Sequence, residues 1–143
     1  ASLAGATVGQ VDALRGFGLP LGIAYQLRDD LLGVFGDADV TGKPSGDDLR
    51  EGKRTVLIAL TREALPSGAR ATLDELLGDP ELTPQQIAML QSTIRESGAV
   101  DTVEKMIADN VRRAIDALEA APIGDQAKAN LRDLAVTVTR RAA

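Results

Sequence analysis

Cysteine and histidine are both absent from the 143-residue chain. Their absence removes disulfides, thiol nucleophiles, imidazole bases and zinc sites of the usual ligand types. A metal bound here must be held by oxygen, which selects magnesium, manganese or calcium. Aromatic residues make up only 2% and the formal charge is -5. Nucleic acid asks for a basic surface and stacking platforms, so no nucleic-acid partner is expected. No apolar run reaches about 18 residues without a charge. No basic-then-apolar leader precedes the first helix. The sequence thus predicts no membrane span and fits a soluble, cytoplasmic protein. The opening Ala1-Ser2-Leu3-Ala4 has no methionine and reads as the start of a piece of something longer.

What is abundant is Ala, Leu, Val and Ile, within an apolar fraction of 44%. That mixture suits packed helices rather than a sheet sandwich, because strands favour aromatic and β-branched residues. The expected fold class is all-α, with residues 1–143 forming a single all-helical segment.

Residues 7–35 are predicted helical, with Val11, Leu14, Ile23, Leu27, Leu31 and Val34 recurring at helical spacings. Pro20 cannot donate to the turn before it, so a break or kink is expected between Gly16 and Leu19. A loop over 36–46 follows, and Asp47 or Asp48 is expected to cap a helix running to about Leu65. Ser67 is expected to cap a short helix over 69–77. Thr83-Pro84-Gln85-Gln86 reads as cap, first-turn proline and third-position amide, opening a helix to about Ser97. Val100, Val103, Ile107, Val111, Ile115 and Leu118 form an apolar stripe that places a long helix on a core. A last helix is expected over 126–141.

The chemistry concentrates in Tyr25-Gln26-Leu27-Arg28-Asp29-Asp30-Leu31-Leu32-Gly33-Val34-Phe35-Gly36-Asp37. Gln26, Asp29, Asp30 and Gly33 share one side of the predicted helix, which is expected to face a cavity. Two carboxylates about 5 Å apart repel by about 3 kcal/mol at an effective dielectric near 20, and a divalent ion reverses that penalty. The alternative is that both aspartates are solvated or paired with arginines. Downstream, Lys43 and Lys53 bracket a helix start, from which both can reach an anion held beside the carboxylates. The alternative for each lysine alone is a solvated surface charge.

Two local patterns compete with that reading. The segments from Gly36 to Lys43 and from Gly46 to Lys53 resemble a phosphate loop. Each has five residues where four are required, and neither lysine is followed by Ser or Thr. Asp37, Asp39, Gly42 and Asp48 match the first, third, sixth and twelfth positions of a calcium loop. Thr41 at the fifth position, Asp48 in place of glutamate and Lys43-Pro44 in the middle depart from it.

The run from Gly22 to Leu32, with Phe35-Gly36-Asp37, Thr41-Gly42-Lys43 and Lys53, resembles the second aspartate-rich motif and succeeding loop of the trans-isoprenyl diphosphate synthases, or polyprenyl synthetases. The variant ending in Gly33-Val34-Phe35-Gly36-Asp37 is most similar to actinobacterial geranylgeranyl-type members. The resemblance implies the C-terminal portion of the isoprenoid synthase helical bundle, with the motif at 26–33. It further implies a magnesium-dependent prenyltransferase, manganese being a second candidate. Such an enzyme condenses an allylic prenyl diphosphate with isopentenyl diphosphate, giving a short-chain product such as geranylgeranyl diphosphate. By match, Asp29 and Asp30 would ligate metal and Gln26 would contact the allylic substrate. Lys43 and Lys53 would hold its diphosphate, with Asp29, Asp30 and Lys43 counted as catalytic, and Asp48 would stand behind the metal ligands. The family usually has a third aspartate where this chain has Gly33. The first aspartate-rich motif is not present in the sequence, so the chain alone is expected to be inactive. Members of the family are usually dimers, so the resemblance implies a homodimer for the full-length protein. Two other readings are a non-catalytic synthase subunit and a helical calcium-binding or interaction module using the loop from Asp37 to Asp48.

Overall fold

A computed structural model describes residues 8–36 and 45–139, and all regular structure among them is helical. The helices are α1 (Val8–Phe35), α2 (Asp47–Glu51), α3 (Val56–Ala64), α4 (Ser67–Leu76), α5 (Pro84–Glu96), α6 (Ala99–Glu119) and α7 (Asp125–Thr139). They form two compact units. One gathers the described residues up to Arg28 with those from Met106 onward, and the other spans Asp29–Lys105.

In the first unit, Phe17, Ala114, Leu118 and Ala135 form a buried cluster, with Leu21, Ile123 and Leu131 packed around it. Gly16 lets α1 lie close to α6, since a Cβ there would come 3.3 Å from that of Ala117. Of the break or kink expected at Gly16 to Leu19, a break does not occur: α1 is continuous through Pro20. A proline inside a helix costs about 3 kcal/mol. Burial of Phe17 and Ala24 on either side offsets that cost. The buried stripe also differs from the expected one: Leu14 and Ile23 are exposed, while Phe17, Ala24, Leu27, Leu31 and Val34 are buried.

In the second unit the buried side chains include Leu49, Leu57, Leu73, Leu90, Ile94 and Val103. The single helix expected from Asp47 to Leu65 is two, α2 and α3, separated at residues 52–55. Gly52 ends α2 at φ 71°, and Thr55 caps α3 by accepting a hydrogen bond from the Ile58 amide at 3.2 Å. The aspartates do not cap α2, because Gly46 occupies that position at φ 79°. A side chain there would strike Ile87, with 2.6 Å between its Cβ and Ile87 Cγ2. Nor does Ser67 cap α4, where Pro66 takes the place and no side-chain bond is made. At Thr83 the expected capping box is present: Thr83 Oγ1 accepts from the Gln86 amide at 3.2 Å and Gln86 Oε1 from the Thr83 amide at 2.9 Å.

The turn from α3 to α4 is tied by Arg62, whose Nε and Nη2 donate to Asp74 Oδ1 and Oδ2 at 2.7 and 3.0 Å. Arg70 also donates to the carbonyls of Arg62 and Leu65. The Arg62 hydrogen bond, with its charge and those of Arg54 and Arg70, holds the Asp74 carboxyl below its ordinary value of 3.8. A carboxyl depressed in the folded state contributes stability that is complete above the unfolded value and is lost as pH falls through the folded one. Asp74→Asn is therefore expected to lower the urea midpoint slightly at neutral pH, as suits an exposed pair. The gap between the two proteins should close as the pH drops below 3.8.

Candidate active site

The motif segment of α1 carries Asp29 and Asp30 into the second unit. Adjacent positions on a helix are turned about 100° from each other. Accordingly Asp30 is buried, 4% exposed, while Asp29 is half-buried. Leu31, Leu32 and Val34 bury the rest of the turn. Gln26 is exposed and lies on the part of α1 that belongs with the first unit. Lys43 lies outside the described residues, as do Asp37 and Asp39 of the calcium-loop pattern.

Asp48 is brought to the motif by α2. It is 5% exposed, and its carboxylate rests against the glycine of the aspartate-rich run. A Cβ on Gly33 would stand 1.9 Å from Asp48 Oδ2, 2.3 Å from Cγ and 2.9 Å from Oδ1. Among the described residues no group donates a hydrogen bond to Asp48 Oδ2. Lys53 Nζ lies 3.8 Å from that oxygen, with its side chain 44% exposed. A buried carboxylate oxygen without a donor is costly in a structural role.

Local chemistry explains why α2 sits where it does. Leu49 is fully buried. Its carbonyl accepts from the Gly78 amide at 2.8 Å, fastening α2 to the end of α4. From α5, Gln91 Nε2 donates to the Val34 carbonyl at 2.7 Å and to Ser45 Oγ at 3.3 Å, joining the last turn of α1 to the residues just before α2. The Arg95 guanidinium lies 4.5 Å from the centre of the Phe35 ring. Nothing in the local pattern around Gln91 marks this role, which depends on a partner far along the chain.

The donor set is oxygen only, and no group of three or more Asp or Glu side chains able to hold a metal ion exists among the described residues. Magnesium is commonly bound through one or two carboxylates together with substrate phosphates rather than in an all-protein cage. The two adjacent carboxylates of Asp29 and Asp30 match in number what that manner of binding asks for.

Residues 1–94 match the family described as polyprenyl synthetase. Geranylfarnesyl diphosphate synthase of Aeropyrum pernix is 39% identical over 117 residues, covering 82% of this chain and 36% of that protein. The crystal structure of geranylgeranyl pyrophosphate synthase from Corynebacterium glutamicum, complexed with isoprenyl diphosphate and magnesium, is similar with a TM-score of 0.92 and 42% identity, covering 97% of this chain and 40% of that one. Polyprenyl synthase from Caulobacter crescentus, complexed with calcium and isoprenyl diphosphate, is similar with a TM-score of 0.83 and 36% identity, over 97% of this chain and 42% of that one. The chain thus spans about two fifths of the length of these relatives. No helix among the described residues is long and apolar enough to cross a membrane.

Proposed function

Because this chain belongs to the polyprenyl synthetase family, we propose that it supplies the half of a prenyltransferase active site that grips the diphosphate of an allylic substrate. The complete protein then joins that allylic group to isopentenyl diphosphate, head to tail, and releases a short-chain polyprenyl diphosphate. The observation that carries this reading is the adjacent pair Asp29 and Asp30, the second of them buried, on a stretch of helix whose Gly33 the buried carboxylate of Asp48, beside Lys53, rests against.

Breaking the allylic carbon-oxygen bond leaves a diphosphate whose negative charge must be stabilised. Magnesium, the preferred ion of this oxygen-only site, supplies positive charge to the diphosphate when bound, and Asp29 and Asp30 would hold it. Lys53, whose ammonium is exposed, adds a point charge for the same phosphates, and Lys43 adds a second. Asp48 keeps Lys53 on this side by its charge at 3.8 Å. Gln26 offers an amide to the substrate or to water near it. Leu31, Leu32 and Val34 exclude water beneath the carboxylates, which strengthens every charge interaction above them. No side chain acts as a nucleophile, in keeping with a chain free of cysteine and histidine. We read the full-length protein as a cytoplasmic homodimer.

The test is titration of the full-length protein with magnesium and a non-hydrolysable allylic diphosphate analogue. Asp29→Ala and Asp30→Ala are expected to weaken magnesium-dependent binding by about tenfold or more. Asp37→Ala and Asp39→Ala should leave it unchanged. Analogue binding that survives both motif substitutions would refute the reading, and a response confined to calcium and to Asp37 and Asp39 would replace it.

A further inference from the structure

We propose that Gln91 is a positioning residue for the diphosphate grip: by tying the end of the aspartate-bearing helix to the residue just before α2, it fixes the Asp29–Asp30 turn relative to Lys53. This rests on the reading that those residues hold a diphosphate together with a metal ion. It adds to them a residue of α5 whose hydrogen bonds go to Val34 and Ser45.

Because α1 ends at Phe35, the carbonyls of its last turn run short of partners within the helix. The Leu32 carbonyl accepts from the Gly36 amide at 2.8 Å. That of Val34, one turn beyond Asp30, accepts from Gln91 Nε2 at 2.7 Å. The same nitrogen reaches Ser45 Oγ at 3.3 Å. A side-chain amide carries two N–H donors, and the two acceptors here lie on opposite sides of the connection between α1 and α2.

Gln91 belongs to a row on α5. Ile87, Gln91 and Arg95 are four residues apart and share one side of the helix. Ile87 packs on Gly46, where a Cβ would come 2.6 Å from its Cγ2. Arg95 sets its guanidinium 4.5 Å from the centre of the Phe35 ring. Three successive turns of α5 thus meet Gly46, then Ser45 with Val34, then Phe35. Ile87 braces the α2 side and Arg95 the α1 side, and of the three Gln91 is the one that reaches both. A plain filler would not need this chemistry: solvent can satisfy a helix-end carbonyl, and ordering a glutamine costs side-chain entropy that leucine largely avoids. What the amide adds is a fixed span between the two segments that carry the charged groups.

The experiment uses the full-length protein with magnesium and measures KM for the allylic diphosphate and for isopentenyl diphosphate separately. Alongside it run thermal unfolding and the affinity for manganese(II) with inorganic pyrophosphate, read by the loss of the free-ion paramagnetic signal. Gln91→Leu keeps the bulk and removes both donors. It is expected to raise the allylic KM and weaken manganese–pyrophosphate binding about tenfold, with KM for isopentenyl diphosphate unchanged. Ser45→Ala cuts the tie at one end and should give a smaller loss of the same kind. Gln91→Leu with Ser45→Ala should be no worse than Gln91→Leu alone, since both changes break one bridge. A merely structural role would lower the melting point and leave both KM values native, and that result overturns the proposal, as does an equal rise in both. Native affinity in Ser45→Ala beside a loss in Gln91→Leu overturns the bridge in favour of a bond to α1 alone. Should Gln91→Leu fail to fold, Ser45→Ala decides by itself: an allylic-selective loss supports the tie, and native KM values overturn it. Asp30→Asn separates the two levels of argument. If it abolishes manganese–pyrophosphate binding while Gln91→Leu binds as the native protein does, only the positioning role fails, and if neither matters the proposed function fails with it.

Discussion

Gly52→Val is expected to destabilise the protein by about 2–5 kcal/mol. Two costs combine. Gly52 ends α2 at φ 71°, a left-handed conformation that costs a residue with a Cβ about 1–2 kcal/mol. A Cβ there would also stand 2.8 Å from Gly78 Cα and 3.2 Å from Gly78 N, both main-chain atoms with no rotamer to give way. Forcing atoms into filled space adds about 1–3 kcal/mol. Gly78→Ala separates the two, because its φ of 93° is strained while its Cβ would meet Gly52 Cα only at an ordinary 3.5 Å. It should cost the conformational part alone. Denaturant midpoints of the two variants at equal slope check this, and equal losses would show that the close approach of the two backbones carries no energy. Position 52 lies between Asp48 and Lys53 in the chain, so the same change is expected to alter their 3.8 Å separation.

The same two glycines show where sequence reasoning stops. The capping box at Thr83 is legible because each of its bonds joins residues three apart, and the chemistry is complete within one turn. The interruption between α2 and α3 is not, because it is made by Gly52 meeting Gly78 and by the Leu49 carbonyl bonding the Gly78 amide, partners remote in the chain. The reverse case is Pro20, where of a break or a kink only the break is excluded. Local propensity argues for a break there, and burial of Phe17 and Ala24 carries the helix through. The buried positions 17, 24, 27, 31 and 34 keep helical spacing once Phe17 replaces Leu14 as the starting point. Glycines and alanines on the packed side of α1 hide that stripe from a reading that follows only the larger aliphatic residues.

The candidate site divides along similar lines. Asp29 and Asp30 stand out in sequence because adjacent acids in an apolar helix need a compensating charge, and that argument is local. Gly33, read alone, is a missing aspartate. In the folded chain it is room for Asp48, and only the contacts of Leu49, Gly78 and Gln91 bring that side chain across. The family resemblance places Asp48 behind the metal ligands without indicating that its carboxylate enters the space left at position 33.

Leu49→Ala is the second large effect, expected to cost about 2–5 kcal/mol because a fully buried leucine leaves a cavity that its surroundings refill only in part. Leu49→Met, which keeps volume, should cost less than about 1.5 kcal/mol. The two changes also separate stability from function. A five-residue helix has little intrinsic stability, so α2 depends on this buried side chain together with the Leu49 carbonyl bond to the Gly78 amide to hold Asp48 in place. Under conditions where Leu49→Ala remains folded, it is expected to weaken manganese–pyrophosphate binding although residue 49 carries no polar side-chain atom. Leu49→Met should bind as the native protein does. Paired measurements of denaturant midpoint and manganese affinity across the two variants test the link. Native affinity in folded Leu49→Ala would show that this binding does not depend on the packing of α2.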